Sequence, residues 1–302
     1  MKTRISHALR MAGALCASLM CSAICGAAMA QSSFTASYTG AGYGGSTCNS
    51  SYNISGMEPG AAGKYPVFVY MVGTYETYNN ASATEAVKRM AGKGYVAATI
   101  EYASSAFGTC SGIGAKASCA FNPDSAASAI SQLCTRGKAD CTKGVVVAGF
   151  SQGAIMAILA KNYDSRVQAA YAIGAGVQYT NYDLGACVAN GNRSLPSDRL
   201  LAVNGEKDSF NGGTAAAARS QLQEVTGMNC GSSAYGCQAA NNSGWLIVKN
   251  SQVSDLSADH CYMRLSGDCY GSGLSLDAGW KSGTQNWQLE SNLNWLTRFT
   301  TK

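Results

Sequence analysis

The stretch that decides the fold is Gly144-Val-Val-Val-Ala-Gly-Phe-Ser-Gln-Gly-Ala-Ile-Met-Ala-Ile-Leu-Ala160. Its β-branched run at 145–148 is typical of a buried strand, and apolar side chains recur with a helical period after it. Between them lies Gly149-Phe150-Ser151-Gln152-Gly153, a G-x-S-x-G motif. Such a strand-to-helix turn lifts the serine hydroxyl clear of the sheet, and glycines flank it because the backbone turns too tightly for side chains. Unless Ser151 has catalytic partners, an ordinary Gly-rich βα turn is the alternative.

Strands alternate with helices along the rest of the chain. The predicted strands are 33–38, 51–55, 65–72, 95–102, 145–148, 167–173, 199–204 and 245–249, and the predicted helices are 82–90 (N-cap Ser82), 122–136, 152–161, 214–226 and 285–299. This alternation predicts an α/β fold of three layers, with a mostly parallel sheet covered by helices on both faces. No linker, charge run or internal repeat interrupts the pattern, so we expect residues 31–302 to form one domain. Any lid between the strands at 167–173 and 199–204 would be a loop.

The first thirty residues predict export from the cytoplasm. Lys2, Arg4 and Arg10 precede an apolar segment, and Ala28-Met29-Ala30 offers a small-residue cleavage site before Gln31. The apolar run is short for a membrane span. We therefore expect a signal peptide at 1–30 and a secreted protein, extracellular or periplasmic, without stable membrane insertion.

Charge excludes one large class of partner. The formal net charge is +5, and three of those positive charges lie in the predicted signal peptide, which leaves +2 for the remainder. A charge so small and so scattered is not the footprint of a nucleic-acid-binding protein.

Ten of the 13 cysteines follow the cleavage site. An even number in an exported chain predicts disulfides, although sequence does not determine their connectivity. The pairs closest in sequence are Cys110/Cys119, Cys134/Cys141, Cys230/Cys237 and Cys261/Cys269, which would leave Cys48 to pair with Cys187. The first of these would close a loop. Zinc is the rival interpretation, but the chain has no C-x-x-C and almost no histidine.

Ser151 needs a base to accept its proton, and the search for one is short. The chain has two histidines, and His7 lies in the predicted signal peptide. His260 is therefore the one imidazole of the mature chain, and it follows the last predicted strand. A surface histidine without a function is the alternative.

The imidazole in turn needs a carboxylate to orient it. The segment Asn204-Gly205-Glu206-Lys207-Asp208 follows the strand at 199–204 and offers Glu206 and Asp208. We favour Asp208, because a strand–Gly–x–x–Asp turn leaves the carboxylate beyond the strand end. Asp255 and Asp259 are further candidates, and a mere capping role for Asp208 is the alternative.

The order Ser151, Asp208, His260 on alternating strands and helices resembles the α/β-hydrolase superfamily, over nearly all of the mature chain. The resemblance implies that Ser151 is the nucleophile, His260 the general base and then acid, and Asp208 its orienting group. It also implies an oxyanion hole from the N–H groups of Gln152 and, in the turn after an earlier strand, Thr74.

Gly-Phe-Ser-Gln-Gly-Ala is similar to the elbow of cutinases and small carboxylesterases. Two features depart from those families: no cysteine lies beside Asp208, and the turn at Gly73 lacks the His-Gly of many lipases and esterases.

These residues predict a secreted serine esterase that cleaves carboxylic esters through an acyl-enzyme. Without a lid domain we expect short-acyl or polyester substrates, a monomer, and no cofactor or metal. An acyltransferase or peptidase would keep the same three residues. A catalytically inactive binding protein is the alternative from another class, which the intact set Ser151, Asp208 and His260 argues against.

Overall fold

A nine-stranded sheet forms the centre of the computed structural model, which describes residues 30–265 and 275–302. The strands are β1 (Gln31–Ala41), β2 (Cys48–Pro59), β3 (Val67–Met71), β4 (Val96–Ile100), β5 (Val145–Phe150), β6 (Val167–Ile173), β7 (Gln178–Tyr179), β8 (Tyr182–Asp183), β9 (Leu200–Gly205), β10 (Gly236–Gln238) and β11 (Gly244–Val248). The helices are α1 (Ala81–Gly92), α2 (Cys110–Phe121), α3 (Ala129–Cys134), α4 (Gln152–Leu159), α5 (Gly185–Val188), α6 (Ala215–Thr226), α7 (Ala278–Ser282) and α8 (Leu289–Leu296). Among the described strands, β7 and β8 pair only with each other, as a small separate hairpin.

The strand order is β1-β2-β4-β3-β5-β6-β9-β11-β10. Strands β4, β3, β5, β6, β9 and β11 are parallel, while β1, β2 and β10 are joined antiparallel at the two margins. Every residue of β3, β4, β5, β9 and β11 is buried, as expected for parallel strands with both faces covered. β3 has β4 on one side and β5 on the other. Successive strands are therefore added to the sheet in opposite directions on the two sides of β3. The crevice beyond the carboxyl ends of β3 and β5 is where such sheets bind ligands.

Helices cover the sheet in two groups. α1 packs on β4, β3 and α8, whereas α4 packs on β5, β6 and α2, and α6 packs on β9 and β11. Because crossovers between parallel strands are right-handed and β4 lies on the opposite side of β3 from β5, these groups cover opposite faces. The predicted α/β fold with a mostly parallel sheet is confirmed.

The amphipathic pattern near the C-terminus also holds, although the helix is shorter than the predicted 285–299. The five apolar residues expected on its face are all buried: Trp287, Leu289, Leu293, Trp295 and Leu296. α8 covers residues 289–296, and a 3₁₀ turn continues it to Phe299. A separate short helix, α7, precedes it and buries Trp280.

The first two strands are longer than predicted. β1 and β2 pair along their whole length, from Gln31 opposite Pro59 to Ala41 opposite Cys48. Their Ser, Thr, Asn and Gly content is typical of loops, and only cross-strand pairing, which a local pattern does not show, makes them strands.

Two helix predictions were wrong in detail. The N-cap of α1 is Asn80 rather than Ser82, because the Asn80 side chain accepts from the N–H of Ala83 while the Ser82 hydroxyl donates to Asn80. The predicted helix at 122–136 is reduced to α3, with Ser128 as its N-cap.

Two of the expected disulfides were also wrong. The bonds are Cys48–Cys119, Cys110–Cys187, Cys134–Cys141 and Cys230–Cys237. Cys110 and Cys119 do not close a loop, because they lie near opposite ends of the 12-residue helix α2. At about 1.5 Å of rise per residue their Cα atoms are separated by roughly 13 Å, and a disulfide spans at most about 7 Å.

Cys261 is disulfide-bonded, but its expected partner Cys269 lies outside the described residues. The predicted signal peptide lies outside them as well. Disulfides on this scale indicate an oxidising compartment. Within the described ranges, no helix combines the length and the apolar character needed to cross a membrane.

The segment between β6 and β9 holds the β7–β8 hairpin and the one-turn helix α5. The N–H of Leu184 donates to the carbonyl of Val177, which closes the base of the hairpin. The Gln221 side chain of α6 accepts from the N–H groups of Val177 and Gln178, both at 2.8 Å. The hairpin is therefore fastened to the body of the protein at its first strand.

Candidate active site

Ser151 lies on a strained turn between β5 and α4. Its φ of 53° and ψ of −119° are unusual for a residue other than glycine, and strain of this kind concentrates at functional sites. A Cβ on Gly149 would lie 2.2 Å from the carbonyl oxygen of Gly153, and a Cβ on Gly153 would lie 2.2 Å from that of Met71. Only glycine fits at both positions, for the reason that the motif suggested.

Ser151 and His260 line the same cavity. The imidazole is 3% exposed and packs between Phe150 and Phe210, with ring centroids 4.9 and 4.6 Å away. Gly174, the residue directly after β6, lies against the imidazole. Its φ is +67°, and a Cβ there would come within 2.8 Å of the imidazole Cε1. This position therefore has to be a glycine for the ring to occupy its place.

Asp208 contacts the other edge of the imidazole. Its Oδ2 lies 2.8 Å from His260 Nδ1, and the carboxyl group is fully buried. Oδ2 also accepts from Asn211 Nδ2 at 2.8 Å, and Oδ1 accepts from the N–H groups of Phe210 and Asn211. Four donors therefore fix the orientation of the carboxyl group.

These contacts also select the imidazole tautomer. A carboxylate only accepts hydrogen bonds, so His260 Nδ1 carries the proton that points at Asp208, and the lone pair is on Nε2. Nε2 is buried and has no hydrogen-bond partner among the described residues. A basic nitrogen without a partner, in the cavity that Ser151 also lines, is suited to accept a proton there.

The other carboxylates that the sequence offered lie elsewhere. Glu206 accepts from the N–H of Asn250, and Asp255 and Asp259 accept from N–H groups of their own loop. Burial raises the pKa of Asp259. Among the four candidate acids, all of which the structure describes, only Asp208 is hydrogen-bonded to the His260 imidazole.

The loops that carry Asp208 and His260 are joined through the main chain. The N–H of Lys207 donates to the carbonyl of Ala258 at 2.8 Å. A Cβ on Gly205 would lie 2.1 Å from the same carbonyl oxygen, so the close approach of the two loops requires glycine at the end of β9.

Thr74, in the turn after β3, lines the cavity, whereas Gln152 is not among its described lining residues. The N–H groups of Thr74 and Gln152 have no acceptor within residues 30–265 and 275–302. Glu76 fixes this turn, because its carboxylate accepts from the N–H of Gly73 at 2.6 Å and forms a buried ion pair with Arg264. Neither Glu76 nor Arg264 is predicted from the sequence, although Glu76 is the single acidic residue between β3 and α1.

The cavity in front of Ser151 has a volume of about 310 Å³. Aromatic rings dominate its described lining: Tyr75, Phe107, Phe150, Tyr179, Tyr182 and Phe210. The hydroxyl of Tyr179 donates to the carbonyl of Gly174 at 2.6 Å, and burial raises its pKa well above the usual range. The Tyr179 hydroxyl therefore stays neutral.

Two side chains hold the loop that carries Phe107. The Gln152 amide donates to the carbonyls of Ala106 and Phe107, both at 2.6 Å, and Lys116 Nζ donates to the same two carbonyls. Burial lowers the pKa of Lys116 to about 8. From the sequence, Gln152 has only a backbone role; in the structure its side chain also holds the loop that brings Phe107 to the cavity.

The described part of the chain contains no cluster of three or more His, Cys, Asp or Glu side chains arranged to hold a metal ion.

Comparisons with known proteins bear on the fold. No protein-family model and no curated protein matches the sequence. One similar solved structure is a dienelactone hydrolase-like promiscuous phosphotriesterase from metagenomic libraries, with 16% identity, a TM-score of 0.56, and coverage of 90% of this chain and 100% of that one. A putative dienelactone hydrolase from Klebsiella pneumoniae subsp. pneumoniae also matches, with 13% identity, a TM-score of 0.45, and coverage of 88% and 96%. The sheet order and the first of these likenesses establish that the chain has the α/β-hydrolase fold.

Proposed function

We propose that this chain is a serine hydrolase that cleaves carboxylic esters through an acyl-enzyme. The observation that carries the proposal is the imidazole of His260, which Asp208 orients and which lines the same cavity as Ser151 on its strained turn. Its Nε2 has no hydrogen-bond partner within the described parts of the chain. A lone pair held beside a serine hydroxyl supplies the base that this weak nucleophile lacks.

In the acylation step, Ser151 Oγ attacks the ester carbonyl carbon while His260 Nε2 takes its proton. The carbonyl oxygen becomes an oxyanion that accepts from the N–H groups of Thr74 and Gln152, a contribution of about 3 kcal/mol for each donor. Asp208 stabilises the imidazolium that has formed. The tetrahedral intermediate then expels the alkoxide, which takes the proton from Nε2, and leaves the acyl group on Ser151.

Deacylation repeats these steps with water as the nucleophile. Nε2 takes a proton from the water as it attacks the acyl carbonyl, and then returns it to Ser151 Oγ as the acyl bond breaks. The acid is released and the starting state is restored. Because the segment between β6 and β9 holds a short hairpin and a one-turn helix rather than a lid domain, we propose short-acyl or polymeric esters rather than long-chain lipids.

A serine-directed fluorophosphonate probe tests this proposal. The folded protein should be labelled at Ser151, labelling should disappear in Ser151→Ala, and it should fall strongly in His260→Ala. Hydrolysis of a ladder of nitrophenyl esters, together with one insoluble polyester, should follow the same order of variants. Absence of labelling in folded wild-type protein would favour a binding protein, and transfer to an added alcohol or amine in preference to water would favour an acyltransferase.

We also propose export with cleavage after Ala30, supported by the basic and apolar N-terminal pattern and by the disulfides. N-terminal sequencing of protein recovered outside the cytoplasm should begin at Gln31. A mature chain that begins at Met1 would contradict this.

A further inference from the structure

Three of the cavity's rings form a continuous surface, which we call the aromatic wall: Phe107, Tyr179 and Tyr182. The Phe107 ring centroid lies 4.7 Å from that of Tyr179 and 5.2 Å from that of Tyr182. These distances are typical of packed aromatic pairs. Phe107 comes from the loop after β4, and the two tyrosines come from the β7–β8 hairpin.

The aromatic wall is held in place before any ligand binds. Gln152 and Lys116 fasten the Phe107 loop, the Tyr179 hydroxyl bonds the main chain of Gly174, and the Cys110–Cys187 disulfide joins the segments that follow Phe107 and Tyr182. A preorganised surface costs little ordering entropy on binding, so its shape can discriminate between ligands.

Rings also lie on the His260 side of the cavity. Phe150 and Phe210 pack against the imidazole, and Tyr75, which is 70% exposed, also lines the cavity. A flat ring in this space contacts aromatic faces and edges from several directions. Offset and edge-on ring contacts contribute more binding free energy than the buried apolar area alone accounts for.

The charge of the lining residues and the volume of the cavity further limit the class of ligand that it can bind. None of the described lining residues is Asp, Glu, Lys or Arg, so a charged substituent would lose its hydration without gaining an ionic partner. The volume of about 310 Å³ is at the small end of ligand sites, where about 300 Å³ is the lower bound.

We infer that the cavity selects esters that carry one uncharged aromatic ring next to the ester group. The inference rests on the proposed function and names the substrate class of that same site.

Two matched pairs of esters test the ring. Methyl phenylacetate and methyl cyclohexylacetate differ only in a flat or puckered ring on the acyl side, and benzyl acetate and cyclohexylmethyl acetate differ in the same way on the alcohol side. We expect kcat/KM to favour the aromatic member by about five- to tenfold in at least one pair, which also shows on which side the ring binds. Equal values in both pairs would overturn the inference.

Variants of the aromatic wall distinguish recognition of the ring by the wall from the intrinsic reactivity of the esters. Phe107→Leu and Tyr182→Leu should each reduce the aromatic preference several-fold, because each removes one ring of the wall. Tyr43→Leu, the same kind of change at a residue that is 74% exposed on the turn between β1 and β2, should leave the preference as it is. A preference that survives in both wall variants belongs to the esters themselves and would also overturn the inference.

Two further substrates complete the design. Methyl phenylacetate with a carboxylate at the para position should react at least about tenfold more slowly than the parent ester, and an equal rate would contradict the neutral pocket. Ethyl acetate, which has no ring, reports the proposed function alone. Hydrolysis of ethyl acetate without any ring preference removes only the inference, whereas no ester hydrolysis and no labelling of Ser151 removes the proposed function.

Discussion

The two sides of the cavity are built in different ways. Ser151, Asp208 and His260 follow the carboxyl ends of β5, β9 and β11, where the sheet and close main-chain contacts determine their positions. The aromatic wall instead lies on a loop and a hairpin, fastened by side-chain hydrogen bonds and one disulfide. Changes at the sheet edge should therefore alter the rate of ester hydrolysis. Changes to the hydrogen bonds and the disulfide that hold the aromatic wall should instead alter substrate binding.

The largest effect should come from Asp208→Asn. The amide can donate to Nδ1 and stabilise the wrong imidazole tautomer, so we expect kcat/KM for ester hydrolysis to fall on the order of 10⁴-fold. Glu206→Gln is the matched control, because Glu206 contacts Asn250 rather than His260 and should retain most of the activity. The reverse order of the two variants, with circular dichroism showing both folded, would make Glu206 the orienting acid.

Gly174→Ala should displace the imidazole without removing any catalytic group. The new Cβ would lie 2.8 Å from His260 Cε1, and a displacement of about 1 Å costs on the order of 100-fold in rate. Gly191→Ala has a comparable backbone strain, with φ of +92°, but nothing lies within 4 Å of the added methyl group. Steady-state kinetics of both variants separate ring displacement from backbone strain, and equal losses would rule out displacement as the cause.

Cys110→Ser/Cys187→Ser should loosen the aromatic wall and leave the sheet edge intact. We expect KM for the preferred aromatic ester to rise several-fold with kcat within about twofold, and stability to fall by about 3 kcal/mol. Cys134→Ser/Cys141→Ser is the matched control, since that bond closes a short loop without a residue in the pocket, and KM should stay constant. A fall in kcat with KM unchanged would show that the disulfide supports the catalytic side instead.

The smallest effect should come from Lys116→Met, as a change in the pH dependence of stability. Burial lowers the pKa of Lys116 from 10.5 to about 8. Between these two pH values Lys116 is protonated in the unfolded chain and deprotonated in the folded chain. The free energy of unfolding of the wild type therefore increases as the pH rises through this range, and the increase disappears as the pH falls to about 8. Urea midpoints at pH 7.5 and 9.5 should show that gain in the wild type and in Lys88→Met, an exposed control on α1, and a smaller one in Lys116→Met. Equal gains in all three proteins would contradict the lowered pKa.

The same contrast explains what could be predicted from the sequence. The turn at Ser151 has a local signature, because its two glycines lie within the motif and the buried strand lies directly before it. The candidates for its partners are few, since residues 31–302 contain a single histidine and a short acidic segment follows β9. Their roles stay predictions, although the structure brings Asp208 to His260.

The wall could not be predicted, because its contacts join segments that are distant in sequence. Cys110 and Cys187 are 77 positions apart, and pairing by proximity in sequence assigned both to other partners. The sequence predicts a loop closed by Cys110 and Cys119, but these residues form α2. The Cys-Ser-Gly-Ile-Gly start makes this helix a poor intrinsic helix former. Packing on α4 and two disulfides stabilise it, and no local pattern shows either.

The β7–β8 hairpin is a structural unit that could be exchanged as a whole. Its ends are joined by the Leu184–Val177 hydrogen bond, and it pairs with no other described strand. It also supplies four consecutive residues of the cavity lining, 179–182. A designer could therefore graft hairpins of other sequences between Val177 and Leu184 and vary the substrate while the elbow, the acid loop and the histidine loop keep their native sequences.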